Sequence, residues 1–272
     1  MAKERLDVLL VLRGYFSSRE KASQAIKAGV IRTGNTFIQK PSTKVDTEID
    51  IFVESECLPY VSKGGLKLEK AIKTFPIDFT DKIILDVGCS TGGFADCALQ
   101  HDAKFVYGID VGTNQLDKKL LICPKLKSIE NLHVKDLRSE HLDNKKMDGI
   151  LIDVSFISST QVIPYILPFL KDDGFLFLLI KPQFELDTSA LDRNGIVKNA
   201  KDQITAIQRV LSAAKEMKLY LQNIDYAPLM TYKKNIEYIV LFRFSDNGFS
   251  ENIYETVNTA MNEKSKMNGK FD

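Results

Sequence analysis

The sequence predicts an α/β protein in two parts, a large unit built on a mostly parallel β-sheet and a small α+β unit that precedes it. From residue 64 onwards, short and almost continuously apolar segments alternate with amphipathic ones. Strands that are apolar on both faces are typical of a sheet covered by helices on both sides. The first 58 residues differ from the rest in charge and in pattern, which indicates a separate module.

The small unit is predicted at 1–58, where helical and strand patterns follow each other closely. Apolar residues at helical spacing indicate two helices, and Gly29 ends the second of them. Alternating residues around Gly34 and Asn35 indicate a hairpin, and a short apolar run indicates a further strand. The helices are predicted over 5–13 and 19–28, the hairpin over 30–38 and the further strand over 49–53.

The large unit is predicted at 64–245, between a linker at 59–63 that contains Pro59 and a polar tail at 246–272. The tail is expected to be partly helical or frayed. A helix over 65–75 opens the unit. Seven strands follow, predicted over 83–87, 105–109, 129–132, 149–153, 175–180, 220–225 and 238–244, with helices over 94–100, 162–169 and 200–217. Together they predict a Rossmann-like, seven-stranded α/β fold.

Composition excludes several classes of protein. The chain of 272 residues is 44% hydrophobic and 27% charged, with a net charge of +1, which is typical of a globular protein. No apolar run approaches the ~20 residues that span a bilayer, and no secretory signal opens the chain. Four cysteines without a CxxC pair and three histidines predict no metal site and reduced thiols. We therefore expect a cytoplasmic protein with no membrane partner.

The most informative stretch is 83–94, in which an apolar strand ends in Asp86 and breaks into a glycine-rich loop. Its Gly-x-Ser-x-Gly-Gly spacing differs from the Gly-x-Gly-x-x-Gly of dinucleotide-binding proteins. It resembles the first motif of S-adenosylmethionine-dependent methyltransferases. Glycines let the backbone approach a ligand closely, and the following helix start suits a carboxylate. The predicted cofactor is therefore S-adenosyl-L-methionine.

Two further acids follow the next two predicted strands. Asp110 ends the second strand, where an acidic side chain can hold both hydroxyls of a ribose, although NAD enzymes use an acid there as well. Asp136 follows the third strand and either reaches the adenine amino group or caps a helix. The predicted cofactor-binding residues are Asp86, Gly88, Ser90, Gly92, Gly93, Phe94, Asp110 and Asp136.

Four charged residues are predicted to meet at the carboxyl edge of the sheet. Lys67 lies at the start of the first helix of the large unit, while Asp153 and Lys181 end strands and Glu237 begins one. A ribose 2′-hydroxyl must lose its proton when it is methylated. Burial and a second ammonium group both lower the pKa of a lysine from about 10.4, so an amine in such a cluster can act as general base. These four are the predicted catalytic residues.

The chain resembles the TlyA (hemolysin A) family of bacterial ribosomal RNA 2′-O-methyltransferases. The stretches that carry the resemblance are 5–7, 18–22, 60–68, 86–94, 153–158 and 181–185. The resemblance implies an alpha-L RNA-binding domain at 1–58, of the type found in one small-subunit ribosomal protein, and an FtsJ-like methyltransferase domain at 64–245. It implies that Lys67, Asp153, Lys181 and Glu237 form the family's catalytic quartet.

The family's target is a cytidine ribose in ribosomal RNA, in the large subunit and in some members also in the small one. The expected partner is therefore ribosomal RNA or a ribosomal subunit. The full N-terminal start and long C-terminal end of this chain resemble the dual-specificity group. Lys63 stands where the family usually has arginine, which keeps the charge but loses the bidentate fork.

Residues 1–45 contain nine Lys or Arg and three Asp or Glu, so phosphate contacts are expected in the small unit. The predicted RNA-binding residues are Arg5, Arg19, Lys21, Lys27, Arg32 and Lys63. Phe156 either stacks on a displaced base or lies in the core, and the core interpretation is favoured. Three alternatives remain at this point: a membrane-active hemolysin-like protein, a non-catalytic RNA-binding protein, and an NAD-dependent oxidoreductase.

Overall fold

The computed structural model describes residues 3–16, 18–27, 29–34, 36–53, 59–249 and 252–268. The chain divides into two compact units, Met1–Pro59 and Tyr60–Asp272. Ala28, Asn35 and Cys57 lie outside the described residues, so the predicted end of the second helix and the tip of the hairpin stay predictions. The fold class expected from the sequence, a seven-stranded α/β unit after a small α+β unit, is confirmed.

In its described residues, the first unit combines two helices with five short strands. The helices are α1 (Leu6–Leu12) and α2 (Arg19–Lys27), and the strands are β1 (Lys3–Arg5), β2 (Ile31–Thr33), β3 (Thr36–Phe37), β4 (Lys44–Asp46) and β5 (Ile51–Val53). β1 pairs with β4, and β2 lies between β3 and β5, all antiparallel. Leu6, Leu10, Ile26 and Ile31 are fully buried between the helices and the strands. β1 and β4 have too few apolar residues to be predicted.

The second unit contains seven strands and seven helices within its described residues. The strands are β6 (Ile83–Val87), β7 (Phe105–Ile109), β8 (Leu126–Ile129), β9 (Met147–Ile152), β10 (Leu170–Ile180), β11 (Tyr220–Tyr226) and β12 (Tyr238–Arg243). The helices are α3 (Gly64–Thr74), α4 (Gly93–Gln100), α5 (Lys118–Leu121), α6 (Ser159–Ile166), α7 (Pro182–Glu185), α8 (Ala200–Glu216) and α9 (Ile253–Asn268). Two apolar clusters flank the sheet, one with Leu68 and Phe79, the other with Ile163 and Ile207.

The strand order is β11-β12-β10-β9-β6-β7-β8. β12 runs antiparallel to both of its neighbours, β10 and β11, while the other neighbouring strands of the sheet are parallel. The chain moves outwards from β6 through β7 to β8 and then returns to the other side of β6 with β9. Ligands of such sheets bind at this reversal, beyond the carboxyl ends of the strands. Because β12 is antiparallel, the residue that precedes it lies at the same edge as the residues that follow β9 and β10.

Two predicted elements are shifted in the structure. The third strand was predicted over 129–132, but β8 ends at Ile129, paired with Ile109 of β7. β8 is an edge strand with Lys127 and Ser128 in its middle, so it lacks an apolar pattern. The sixth helix begins earlier than predicted, because the Ser158 side chain accepts a hydrogen bond from the Thr160 amide and caps it.

Part of the polar tail forms the helix α9, Ile253–Asn268, which buries Val257 and Ala260 against the rest of the second unit. In the described part of the chain, no helix combines the length and the apolar character needed to cross a membrane. Cys89, Cys97 and Cys123 carry free thiols.

Candidate active site

The four residues predicted to be catalytic meet at the carboxyl edge of the sheet. Lys67 projects from the first turn of α3, Asp153 follows β9, Lys181 follows β10, and Glu237 immediately precedes β12. Each backbone position is fixed by a buried strand or helix, because β9 and β12 are almost fully buried along their length and β10 is buried from Gly174 to Ile180. The fold thus holds four charged side chains on rigid elements.

The four side chains form one chain of alternating charge. Lys181 Nζ lies 2.6 Å from Asp153 Oδ1, and Lys67 Nζ lies 3.7 Å from Asp153 Oδ2. Lys67 Nζ also lies 2.6 Å from Glu237 Oε2. All three distances are those of ion pairs. Two cations and two anions leave the cluster neutral.

Burial and charge act on Lys67 in opposite directions. Desolvation is the largest influence and on its own lowers the pKa of Lys67, but Asp153 and Glu237 outweigh it, so the pKa is raised above 10.5. The sequence-based expectation that burial would favour a neutral amine is therefore wrong for Lys67. The side chain is 17% exposed and stays an ammonium at neutral pH.

Lys181 has a different environment. Its side chain is 9% exposed, contacts the single carboxylate of Asp153, and donates a hydrogen bond to Ser155 Oγ over 3.0 Å. Lys181 thus contacts one carboxylate, whereas Lys67 contacts two. Ser155 was not singled out in the sequence, since a serine after a strand carries no pattern of its own.

The glycine loop between β6 and α4 contains two residues with a backbone conformation that only glycine adopts easily. Gly88 has φ +82° and Gly92 has φ +90°, both in the left-handed region. A Cβ on Gly88 would lie 2.7 Å from Asp153 O, and one on Gly93 would lie 2.2 Å from Ser62 Oγ and 3.0 Å from Gly65 N. The loop is thus packed closely against the segment that carries Asp153 and against the start of α3.

Asp110 holds the loop from the neighbouring strand. Its Oδ2 accepts a hydrogen bond from the Ser90 amide at 2.8 Å, and its Oδ1 accepts one from the Gly112 amide at 2.7 Å. The Ser90 hydroxyl donates to Gln115 Oε1. A carboxylate has about four acceptor positions, so Asp110 keeps capacity for a further donor such as a ribose hydroxyl.

Asp86 and Phe94 lie beneath the loop. Asp86 is 1% exposed, and its Oδ2 accepts a hydrogen bond from the Ala95 amide in the first turn of α4. Burial raises the pKa of Asp86 to about 7, against a hydrogen bond from the Cys89 side chain that lowers it. The Phe94 ring packs against Phe177 with 5.7 Å between centroids. Both side chains support the loop, and their expected contact with the cofactor stays a prediction.

Asp136 ends a 3₁₀ turn, Val134–Asp136, that follows β8, and it is exposed. His133 caps this turn through its side chain, so the interpretation of Asp136 as a helix cap is wrong. The backbone amide of Asp136 donates a hydrogen bond to His133 O. Among the described residues, no group of three His, Cys, Asp or Glu side chains is arranged to hold a metal ion.

The basic residues of the first unit fall into two groups. Arg5 contacts both oxygens of Asp7 at 3.0 Å, and Arg19 contacts Asp7 Oδ2 at 3.0 Å. The side-chain hydrogen bond from Arg5 lowers the pKa of this buried carboxyl to about 2, and the bond from Arg19 adds to the effect. Arg5 and Arg19 thus have a structural partner, although both side chains keep exposed surface.

The remaining predicted RNA contacts are more open. Lys21 and Lys27 are exposed on α2, and Lys63 is exposed at the residue before α3. Arg32 lies over the Phe52 ring, 4.5 Å from its centroid. The pairing of Arg5 and Arg19 with Asp7 could not be predicted, because an aspartate within an apolar helix pattern does not specify its partners.

Phe156 is 91% exposed and adopts φ +65°, so the favoured expectation that it lies in the core is wrong. Its ring lies 5.2 Å from that of Phe184, at an interplanar angle of 47°. A large side chain in the left-handed region is costly and is often found at functional sites. Phe156 follows Asp153 and Ser155 at the edge of the sheet that carries the charged cluster.

Lys70 was missed by the sequence analysis because an exposed-looking helical lysine has no distinguishing pattern. Its Nζ lies 2.8 Å from Asp225 Oδ2 and 3.7 Å from the centroid of the Tyr226 ring. These contacts join α3 to β11 one turn after Lys67. They restrain the helix from which Lys67 reaches the cluster.

Comparisons with known proteins agree with this architecture. Residues 60–244 match the sequence family described as FtsJ-like methyltransferase, and residues 4–50 match the S4 domain. Hemolysin A of Brachyspira hyodysenteriae is 37% identical over 88% of this chain and 99% of that protein. The 16S/23S rRNA (cytidine-2'-O)-methyltransferase TlyA of Mycobacterium tuberculosis is 31% identical over 89% of this chain and 90% of its own. A solved structure of a provisionally named hemolysin from Streptococcus thermophilus has a TM-score of 0.78 and 34% identity, with 99% of both chains covered.

Proposed function

The chain belongs to the FtsJ-like methyltransferases, in the group named TlyA or hemolysin A, and from this premise we propose that it methylates the 2′-hydroxyl of a cytidine ribose in ribosomal RNA. The proposed substrate is RNA of the large ribosomal subunit, and of the small subunit as well. The proposed donor is S-adenosyl-L-methionine, and the proposed location is the cytoplasm. The observation that carries the proposal is the Lys181–Asp153–Lys67–Glu237 cluster beside the glycine loop.

The residues around the glycine loop fit S-adenosyl-L-methionine. The loop lies where the strand order reverses, and the Ser90 and Thr91 side chains are exposed there. Asp110 retains acceptor capacity for ribose hydroxyls, and Asp136 is exposed after the next strand. We assign the direct contacts to Gly88, Ser90, Gly92, Gly93, Asp110 and Asp136, with Asp86 and Phe94 as supports. When bound, the cofactor supplies a methyl group carried on a sulfonium.

Lys181 is the proposed proton acceptor. It contacts one carboxylate and one hydroxyl, whereas Lys67 is held as an ammonium by two carboxylates. As the ribose oxygen gains the methyl group, its proton passes to Lys181 Nζ.

The other members of the cluster position the reacting groups. Asp153 lies between the two amines and fixes the direction of both. Glu237 holds Lys67, and the Lys67 ammonium can stabilise the negative charge that develops on the ribose oxygen. Holding both reactants at a rigid edge of the sheet supplies a large part of the acceleration by orientation.

Phe156 and the basic residues are proposed to bind the RNA. The exposed Phe156 ring, with Phe184 beside it, offers a stacking surface for a base displaced from its helix. In the first unit, Lys21 and Lys27 are exposed for phosphate contacts, as is Lys63 in the second. Arg5, Arg19 and Arg32 add charge while they keep their contacts within the protein.

The proposal is tested by incubating purified ribosomal subunits from an unmethylated strain with the enzyme and methyl-labelled cofactor. We expect label in ribosomal RNA with the wild-type enzyme, and at least ~100-fold less with Lys181→Ala. Lys73→Ala is the matched control, because Lys73 lies on the same helix as Lys67 but is 67% exposed and pairs with Glu69, outside the charged cluster. Equal labelling by Lys181→Ala and Lys73→Ala would refute the assigned role of the cluster.

A further inference from the structure

Three residues form a row across the outer face of the small sheet in the first unit. Arg32 of β2 is directly opposite Phe37 of β3 and directly opposite Phe52 of β5. Residues opposite each other on neighbouring strands project from the same face. Phe37 is 48% exposed and Phe52 is 45% exposed. The Arg32 guanidinium lies over the Phe52 ring, 4.5 Å from its centroid.

The opposite face of this sheet is the core face. Ile31 is fully buried and Ile51 is 6% exposed, while Arg32 and Phe52 next to them point outwards. One side of the sheet therefore packs its apolar residues into the core, and the other side carries two exposed phenyl rings. Exposed aromatic rings arranged around an arginine are unusual on a surface that has no binding role.

We infer that Phe37, Arg32 and Phe52 form a stacking surface for unpaired nucleotides of the RNA substrate. Phenyl rings and the planar guanidinium both stack on bases, and such stacking tolerates any base because every base has a π-face. Two rings flank one cation, so bases can stack while the guanidinium attracts a phosphate between them. The inference rests on the proposed function, because it takes RNA as the partner.

The positive charge of the unit is concentrated in one segment. Residues 1–45 carry nine Lys or Arg against three Asp or Glu, whereas residues 46–59 carry five Asp or Glu and no Lys or Arg, so the first segment is the one that attracts a polyanion. From the sequence, Arg32 was expected to contact phosphate groups. Its position between two rings gives it a second role, because stacking adds affinity that does not depend on charge neutralisation.

The test uses the full-length protein and a single-stranded oligoribonucleotide of mixed sequence that carries 2-aminopurine, whose fluorescence is quenched when it stacks. We expect the double substitution Phe37→Ala and Phe52→Ala to weaken binding roughly tenfold or more and to abolish the quenching. Phe37→Tyr with Phe52→Tyr keeps both rings and is expected to bind like the wild type. Leu12→Ala is the matched control, since Leu12 is an apolar residue of the same unit that is 72% exposed.

Salt dependence separates stacking from charge. Removing both rings is expected to leave the slope of log affinity against log salt unchanged, whereas Arg32→Ala is expected to reduce it by about one ion. Arg32→Lys keeps the charge but loses the planar group, so it should keep the slope and lose part of the quenching.

The inference is overturned if the double alanine variant, with a wild-type circular dichroism spectrum, binds and quenches the oligonucleotide as the wild type does. It is also overturned if that variant binds RNA normally but loses a self-association that the wild type shows on size-exclusion chromatography. If the wild type transfers no methyl group to ribosomal RNA while the ring variants still lose RNA binding, the stacking surface stands and the proposed function fails.

Discussion

Lys67 Nζ lies 2.6 Å from Glu237 Oε2, and the two residues come from opposite ends of the second unit's sequence. The contact joins the first turn of α3 to the residue before β12. Together with Asp153, it raises the pKa of Lys67 against the effect of burial. The raised pKa keeps Lys67 positively charged at neutral pH, in agreement with the proposal that Lys181 is the proton acceptor.

Replacing Lys67 by alanine tests this division of roles. We expect Lys67→Ala to lower kcat by at least ~100-fold, because an oriented charge is lost at the reacting oxygen. Cofactor affinity should stay within a few-fold, because Lys67 lies outside the glycine loop. Turnover kinetics and calorimetric titration of cofactor measure the two effects. A variant that loses cofactor binding in proportion to activity would contradict the assignment.

Gly93 tests the packing of the loop against α3. A Cβ at this position would lie 2.2 Å from Ser62 Oγ and 3.0 Å from the Gly65 amide. We expect Gly93→Ala to cost about 1–3 kcal/mol in stability and to weaken cofactor binding, because the loop and the helix must separate. Thermal unfolding with and without cofactor measures both changes.

Gly64→Ala is the matched control for this substitution. The atom nearest to a Cβ added at Gly64 would be Ser62 Oγ, at 3.3 Å. Gly64→Ala should change stability much less than Gly93→Ala. Equal effects of the two alanines would show that the close approach at Gly93 is not what the loop requires.

Phe156 tests the binding of a displaced base. Because the side chain is 91% exposed, Phe156→Ala should leave thermal stability unchanged. We expect a loss of about tenfold in kcat/KM for ribosomal subunits, since one stacking contact is removed. Tyr165→Ala is the control, as Tyr165 is an exposed aromatic residue on α6. Similar losses in both variants would remove the special role of Phe156.

Asp86 predicts a pH dependence of stability. Its folded-state pKa is raised to about 7 by burial, from an ordinary value of 3.8. The folded protein therefore keeps a proton that the unfolded chain releases, and this contribution is full below pH 3.8 and lost as the pH rises through 7. The Asp86→Asn variant has no carboxyl at this position, so its stability does not fall in this way. We expect its stability relative to the wild type to increase by about 2 kcal/mol from pH 5 to pH 8.

Denaturant unfolding at both pH values measures the difference. A constant difference between the variant and the wild type across this range would show that Asp86 titrates normally.

The sequence specified the active centre better than the surfaces around it. Lys67, Asp153, Lys181 and Glu237 could be predicted to converge because each adjoins a strongly apolar strand or helix, and strand ends of one sheet meet at one edge. The direction in which the pKa of Lys67 shifts could not be predicted. Desolvation lowers this pKa and the carboxylates of Asp153 and Glu237 raise it, and the balance depends on the packing of a side chain that is 17% exposed.

Phe156 and β8 show where a linear pattern fails. An aromatic residue after an apolar strand has the pattern of a core residue, but the left-handed backbone at Phe156 turns it outwards. β8 is an edge strand held by one neighbour, so its alternation is weak and its bounds follow from pairing with β7. Both outcomes depend on tertiary structure that spacing alone does not contain.

The cluster of Lys67, Asp153, Lys181 and Glu237 is proposed to promote methylation of a ribose oxygen. Tandem mass spectrometry of nuclease fragments from ribosomal RNA, treated with the enzyme and methyl-labelled cofactor, locates the transferred group. We expect one labelled methyl group on the 2′-oxygen of a cytidine, absent after treatment with Lys181→Ala. Label on a base atom, or undiminished label with Lys181→Ala, would contradict it.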